Sequence, residues 1–184
     1  MKHLLKLLLL IFLASCSILQ KKTAEKFECN QISFRADSYF TDNKGITYYV
    51  CDEFANHATE SYTIKTVRKK YSGFLEQEAS PTRNVHDTSR MDTIHKFYND
   101  KTTISFYRAK HKDFLRKFEV SDPLFNLYGC VAVGMSKKAL KNQFNIKKPL
   151  ADTIRIGNDE QTAIFTLYFK NNKINRIIST PYID

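Results

Sequence analysis

The sequence predicts an α+β fold, an antiparallel β-sheet with one or two short helices packed on one face. Residues 31–51 and 162–179 are rich in β-branched and aromatic residues around short polar turns, a pattern typical of β-hairpins. Between them, Ser136 precedes a short segment in which Leu140 and Phe144 lie one helical turn apart. The chain of 184 residues is long enough for one domain with a real hydrophobic core.

The first residues have the charge and hydrophobicity of a secretory signal. Lys2, His3 and Lys6 form a basic start, and residues 7–14 form an apolar run. This run is too short to span a bilayer, which takes about 20 apolar residues. The predicted division is a signal peptide, a tether and a single globular domain: residues 1–15, 16–28 and 29–184.

The tetrapeptide Leu13-Ala14-Ser15-Cys16 resembles the lipobox of bacterial lipoproteins. In that family the signal peptidase cuts before the cysteine, whose thiol and new amino group are both acylated. The resemblance implies lipidation of Cys16, and several acyl chains on one residue give stable membrane attachment. In enterobacterial lipoproteins, an aspartate directly after the cysteine resembles a signal for retention in the inner membrane. Ser17 occupies that position here, so the analogy favours the outer membrane, with the domain on its periplasmic side. The alternatives are an ordinary signal peptide in which Cys16 is incidental and a buried core helix.

The charge of the chain bears on its partners. The formal net charge is +10, and removal of Lys2 and Lys6 with the signal peptide leaves +8. For an exported basic protein, anionic lipid, lipopolysaccharide and acidic wall polymers are the natural partners, and nucleic acid is not. The basic residues are spread along the sequence, however, which is also typical of an ordinary solvated surface.

The cysteines after the lipobox allow at most one intramolecular disulfide, because only Cys29, Cys51 and Cys130 remain. Cys29 and Cys51 flank the first predicted hairpin and are therefore the candidate pair. Cys130 lies in an apolar run and is predicted to be a buried thiol outside that disulfide. The absence of a CxxC motif argues against a thioredoxin-like site.

The N-terminal half is predicted element by element. Asp42-Asn43-Lys44-Gly45 forms the turn of the first hairpin. Residues 52–61 form a short helix or a loop, and residues 62–67 form a short strand. Residues 72–91 contain few apolar residues and are predicted as a helical turn followed by a long surface loop.

An internal similarity predicts a second group of strands. Residues 92–121 align with residues 152–181 without gaps, and seven of the aligned positions are identical. These segments are candidate sub-repeats, and the match predicts a three-stranded meander over residues 92–120. The alternative is that any two strand–turn–strand segments of similar composition agree this well.

The C-terminal third begins with a predicted buried strand, residues 127–133, followed by a helix. Ser136 is a natural N-cap, and Met135 and Leu140 fit a hydrophobic staple. Pro149 lies beyond the helix, where it is tolerated.

Three strands are predicted after this helix: residues 152–156, 162–169 and 174–179. The last two are joined by Lys170-Asn171-Asn172-Lys173, in which asparagine tolerates the positive φ of a tight hairpin. The middle strand is apolar at nearly every position, which predicts a central strand covered on both faces.

The order of strand, Gly134-Met135-Ser136, helix, Pro149 and a meander containing YFKNNKINRI is similar to the small modules of SmpA/OmlA-type lipoproteins. Those proteins belong to the outer-membrane β-barrel assembly machinery, and their fold is similar to each half of the β-lactamase-inhibitor protein. The resemblance covers residues 127–180 and implies one or two such half-repeats. This chain departs from the pattern in its long N-terminal half and in lacking a clear second helix before the strands.

Few residue patterns suggest chemistry, and the sequence predicts no catalytic, metal or cofactor site. His57 and Glu60 lie at a spacing that brings two ligands together on a helix, but no third ligand accompanies them. A candidate anion-binding site consists of Ser136, Lys137 and Lys138 at the start of the predicted helix. The alternative is that both lysines are simply solvated.

Three functional hypotheses follow. The first is a lipid-anchored envelope lipoprotein that acts as a non-catalytic binding or assembly-accessory module for another envelope protein, anionic lipid or wall polymer. The second is an inhibitor or ligand-sequestering lipoprotein built from two half-repeats. The third, which is remote, is a hydrolase built on Cys51 as nucleophile or on a metal site at His57.

Overall fold

Eleven strands and three helices make up the described part of the chain. A computed structural model describes residues 33–84, 86–110, 112–179 and 181, so Cys16 and Cys29 lie outside the described residues. The strands are β1 (Ser38–Thr41), β2 (Thr47–Val50), β3 (Glu76–Arg83), β4 (Met91–Asn99), β5 (Thr102–Ala109), β6 (Lys112–Val120), β7 (Asn126–Leu127), β8 (Val131–Ala132), β9 (Thr153–Gly157), β10 (Ile164–Lys170) and β11 (Lys173–Ser179). The helices are α1 (Asp52–Glu60), α2 (Ile64–Tyr71) and α3 (Lys137–Gln143).

Nine of the strands form one large sheet in the order β1-β2-β9-β10-β11-β6-β5-β4-β3, and β7 pairs with β8 separately. A large sheet with short helices agrees with the predicted α+β class. The sheet is mixed, however, because β2 and β9 run parallel while the other neighbours are antiparallel. The prediction of a purely antiparallel sheet is therefore wrong at this one pair, which joins strands from opposite ends of the described chain.

The helices pack against one face of the sheet and share its core. The ring of Phe54 in α1 meets that of Phe165 in β10 edge to face at 5.6 Å. Tyr62, which precedes α2, meets Phe118 of β6 in the same way at 4.9 Å. Leu140 of α3 is fully buried in the same hydrophobic cluster. A single core therefore runs along the sheet under all three helices.

Two three-stranded meanders lie side by side, one made of β4, β5 and β6 and the other of β9, β10 and β11. The meander predicted over residues 92–120 is confirmed. In each, a bulge separates two core-facing pairs: Ile104–Phe118 and Phe106–Leu115 in one, Leu167–Ile177 and Phe169–Ile174 in the other.

These core-facing pairs of the two meanders correspond only when the alignment contains a gap. Ile104 has the same place in its meander as Leu167, and Phe118 has the same place as Ile177. Ile104 and Leu167 are farther apart in the sequence than Phe118 and Ile177, so one alignment without a gap cannot match both pairs. The ungapped alignment instead pairs buried Ile104 with Ile164, which lies on the opposite face of β10. The sub-repeats stay a prediction.

The predicted turns are confirmed because their chemistry is local. The Asp42 carboxylate accepts hydrogen bonds from the Lys44 and Ile46 N–H groups, each at 2.9 Å, and closes the first hairpin. Asn171 and Asn172 have φ values of 53° and 60°, as a tight hairpin turn requires.

The predicted strand over residues 62–67 is wrong, because the segment enters helix α2. Thr63 and Thr66 form a capping box that starts the helix. Ile64, Val67 and Tyr71 are then buried at helical spacing, which outweighs the β-propensity of the segment.

Three further predictions need correction. The long loop predicted within residues 72–91 contains β3, an exposed edge strand whose Pro81 is tolerated because no further strand pairs there. Residues 127–133 form parts of β7 and β8, because positive φ at Tyr128 and Gly129 reverses the chain. Strand β10 is central, but only alternate residues are buried, so it is covered on one face.

Asp113 ties helix α2 to the β5–β6 hairpin. Its carboxylate accepts hydrogen bonds from Arg108 Nε at 2.6 Å and Nη2 at 3.1 Å, and from the Ile64 N–H at 3.1 Å. Burial alone opposes ionisation of this carboxyl, but these hydrogen bonds outweigh it and hold the pKa of Asp113 below its ordinary value of 3.8.

We expect Asp113→Asn to lower the free energy of unfolding at neutral pH by about 1–3 kcal/mol, because a charged acceptor of three hydrogen bonds is lost. A lowered pKa stabilises the fold above the ordinary pKa and loses this effect as the pH falls through the lowered value. The difference from the wild type should therefore shrink below pH 3.8. Asp100→Asn, in the exposed β4–β5 turn, is the matched control. Equal denaturant midpoints for both variants at neutral pH would contradict this assignment.

Candidate binding surface

The face of the sheet opposite the helices carries a continuous set of partly or fully exposed side chains. Adjacent strands place these residues next to one another through the pairs Thr166–Ile178, Tyr168–Arg176 and Ile178–Glu119. We call this set the open face: Lys117, Glu119, Thr166, Tyr168, Arg176 and Ile178. It crosses β10, β11 and β6, so it spans the junction of the two meanders.

Charge pairs hold the centre of the open face in a defined arrangement. Glu119 accepts a hydrogen bond from Arg176 and pairs with Lys117 at 2.7 Å. The hydrogen bonds from Lys117 and Arg176 lower the pKa of Glu119. The Arg176 guanidinium also lies 5.9 Å from the centre of the Tyr168 ring, within the range of a cation–π contact.

An aromatic pair flanks the open face at the β1 edge. The rings of Phe40 and Tyr48 stack at 4.9 Å, and Phe40 is 43% exposed. The Tyr48 hydroxyl donates to the Asn158 carbonyl at 2.7 Å, and burial raises the pKa of Tyr48 to about 12. Arg155 pairs with Asp42 at 3.0 Å nearby.

Two residues of the open face, Tyr168 and Arg176, are of types enriched at protein interfaces. Tyrosine and arginine are the residues that most often anchor protein interfaces, because they combine large contact area with directed polar groups. Tyr168 and Arg176 provide both at the centre of the open face, and Ile178 adds apolar area. The half-buried side chains have little rotamer freedom left to lose on binding.

Local hydrogen bonds already engage two of the three residues of the predicted anion site, Ser136 and Lys137. The Ser136 hydroxyl accepts from the Ala139 N–H at 3.1 Å and so acts as the predicted N-cap. Lys137 Nζ donates to the Leu150 carbonyl at 2.9 Å and to Asp152 at 2.8 Å, so its charge is already paired. Lys138 is exposed. The three residues line one shallow depression of about 410 Å³ together with Lys141, Asn142 and Asn172.

Cys51 and His57 lie in different environments. Cys51 is 1% exposed directly before α1, and burial raises the pKa of its thiol to about 11, which makes it a poor nucleophile at neutral pH. The His57 ring lies on the α1 surface, stacked on Tyr128 at 5.0 Å. Cys130 is also buried. Because Cys29 lies outside the described residues, its pairing with Cys51 stays a prediction.

Neither a metal cluster nor a membrane-spanning helix is found within the described ranges. In these ranges no three His, Cys, Asp or Glu side chains gather closely enough to hold a metal ion. None of the helices there is long and apolar enough to cross a bilayer. Comparisons with protein families, with characterised proteins and with solved structures give no match to this chain.

Sequence reasoning missed the open face because its residues come from three strands in two separate meanders. The alternation of polar and apolar residues in β6 and β11 marks which side chains leave the core. It does not reveal that these two strands pair with each other, and that pairing brings Glu119 beside Arg176.

The different partners of Lys137 and Lys138 predict opposite effects of charge reversal on stability. Lys138→Glu should raise the free energy of unfolding by about 0.3–1 kcal/mol, because an acidic residue suits the first turn of a helix. Lys137→Glu should lower it by about 1–2 kcal/mol, because it removes two hydrogen bonds and faces Asp152. Chemical denaturation of the two variants measures this difference, and equal shifts in the same direction would contradict it.

Proposed function

We propose that the protein is a lipid-anchored lipoprotein of the bacterial cell envelope, attached to the outer membrane through acyl chains on Cys16. Its domain faces the periplasm and acts as a non-catalytic binding or assembly-accessory module. Two features support the anchor: the lipobox-like Leu13-Ala14-Ser15-Cys16 and the apolar run before it. The binding role is argued from the described fold.

The main support for a binding role is the open face. A nine-stranded sheet has one face committed to the core, while the other presents Tyr168, Arg176 and Ile178 next to a paired Glu119. The polar groups there are arranged in pairs, which favours a protein partner with complementary charges over a purely apolar ligand.

A second candidate is an inhibitor or ligand-sequestering lipoprotein of two half-repeats, as the resemblance to the β-lactamase-inhibitor protein implies. The side-by-side meanders with bulges at corresponding core positions favour it. On this alternative, the same open face engages an enzyme or a secreted target instead of an envelope partner. The hydrolase hypothesis has less support, because the Cys51 thiol is buried and protonated at neutral pH.

Site-specific crosslinking in intact cells tests the proposed function. A photoreactive amino acid is introduced at Tyr168 in the open face, with Lys65 on the exposed surface of α2 as the control position. Each variant is made with Cys16 intact and with Cys16→Ser, and crosslinked proteins are identified by mass spectrometry after detergent extraction.

We expect one recurrent envelope protein to be crosslinked from Tyr168 and not from Lys65, and to be lost with Cys16→Ser. Equal crosslinking from both positions would contradict the role of the open face. Membrane fractionation that is unchanged by Cys16→Ser would contradict the anchor. An exogenous protein captured from Tyr168 would favour the inhibitor alternative.

A further inference from the structure

The fold gathers exposed and half-exposed lysines from two separate segments around helix α3. Ser136 forms a β-bridge with Lys173, and the Lys137 N–H donates to the Asn172 carbonyl at 2.9 Å, which fixes the β10–β11 turn beside the helix. Lys141 Nζ donates to the Lys147 carbonyl at 3.2 Å and so extends the group past the end of α3. We call this group the lysine surface: Lys138, Lys141, Lys147, Lys148, Lys170 and Lys173.

This surface has few carboxylates to neutralise it. The sequence contains no Asp or Glu between Asp122 and Asp152, although five lysines fall in that interval. Asp152 is already paired with Lys137, at 2.8 Å, which is why Lys137 is not counted in the surface. Asp37 is the carboxylate that lines the neighbouring depression with Lys147 and Lys148. The exposed side of α3 therefore carries an excess of positive charge.

The stability of the fold does not account for this arrangement. The first turn of α3 contains Lys138 and no acidic residue, although the helix dipole disfavours cations there. Like charges placed close together also repel one another. The basic residues are spread along the sequence, and the fold brings the β10–β11 turn, where Lys170 pairs with Lys173, beside the start of α3.

The chain enters the described fold beside this surface. The Phe34 N–H donates to the Gln143 carbonyl at 2.7 Å, and the Ala36 N–H donates to the Phe144 carbonyl at 3.3 Å, so this segment is held at the end of α3. Exposed Arg35 lies between these two contacts and adds another positive charge. The connection from Cys16 to Ser33 spans about 60 Å at most, so an anchor on Cys16 keeps the domain within reach of the membrane and joins it at the end of α3.

We propose that the lysine surface docks on anionic phospholipid headgroups of the membrane that holds the lipid anchor. This inference rests on the proposed function, because the anchor supplies the proximity. Lysines near an anionic surface each add electrostatic attraction, and this attraction fades within about 10 Å at ordinary salt. Lys170 and Lys173 pair in the β10–β11 turn, at the end of the open face, so docking orients the domain with this turn toward the membrane.

Lysine footprinting of the full-length protein, purified from cell membranes and placed in nanodiscs, tests the inference. One nanodisc contains phosphatidylcholine alone, and the other contains about one third phosphatidylglycerol. Acetylation rates of individual lysines are measured by mass spectrometry in both, with Lys65 and Lys69 of α2 as internal references. The mass of the N-terminal peptide reports acylation of Cys16 independently.

We expect acetylation of the lysine surface to slow at least about threefold in the anionic nanodisc, and protection to disappear in about 1 M salt. Lys65 and Lys69 should be unaffected. Equal rates in the two nanodiscs would overturn the inference while leaving the proposed function intact if Cys16 is acylated. An unmodified Cys16 would overturn the proposed function, and this inference with it. Protection by soluble cell-wall fragments and not by phosphatidylglycerol would overturn it in favour of a wall polymer.

A charge-reversal variant gives a second test. Lys138, Lys141, Lys147 and Lys148 are each replaced by glutamate, and we expect Lys170 and Lys173 to lose their protection in the anionic nanodisc. The matched control changes the same number of lysines elsewhere to glutamate: Lys44, Lys101, Lys110 and Lys112, which are all exposed. The control should keep the protection. If both variants lose it equally, total charge and not this surface determines the contact, and the inference is wrong. The wild-type footprint decides the question if a variant fails to fold.

Discussion

The pairing of β6 with β11 is the constraint on which the rest of the structure depends. It consists of three residue pairs, Val120–Ile177, Glu119–Ile178 and Phe118–Ser179, and it joins two meanders that are otherwise separate. Phe118 and Ile177 enter the core on one side of this seam, while Glu119 and Ile178 lie on the other. A slip of one residue in this pairing would exchange the two faces, so it would disrupt the core and the open face at once.

The two faces of the sheet differ at this seam: one packs in the core and the other carries a charge pair. On the core side, Tyr62 packs on Phe118 and Phe54 on Phe165, so helices from the N-terminal half cover strands of both meanders. On the other side, the Glu119–Arg176 pair crosses from one meander to the other. The core and the open face thus lie on opposite sides of one sheet, so changes to the open face cost the core little.

Features fixed by neighbouring residues could be predicted from the sequence. The Asn171-Asn172 turn, the Ser136 cap and the Asp42 turn depend on contacts within a few residues, and each is found. The start of helix α2 is wrongly predicted as part of a strand over residues 62–67, because its β-branched residues hide a helical burial period. The predicted meander at residues 92–120 is present, but the parallel β2–β9 pairing and the β6–β11 seam depend on long-range packing that no local pattern encodes. The open face and the lysine surface both arise from such long-range contacts.

Hydrogen exchange at the seam tests this account most directly. Amides of Phe118, Val120, Ile177 and Ser179 that are hydrogen-bonded across the pair should exchange only by global unfolding, together with the amides in the centre of β5 and β10. Their exchange free energies should equal the unfolding free energy measured with denaturant. If the seam amides exchange at markedly lower free energy than both meanders, the meanders open independently. In that case, the sheet is not one cooperative unit, and the pairing of β6 with β11 does not hold the open face together.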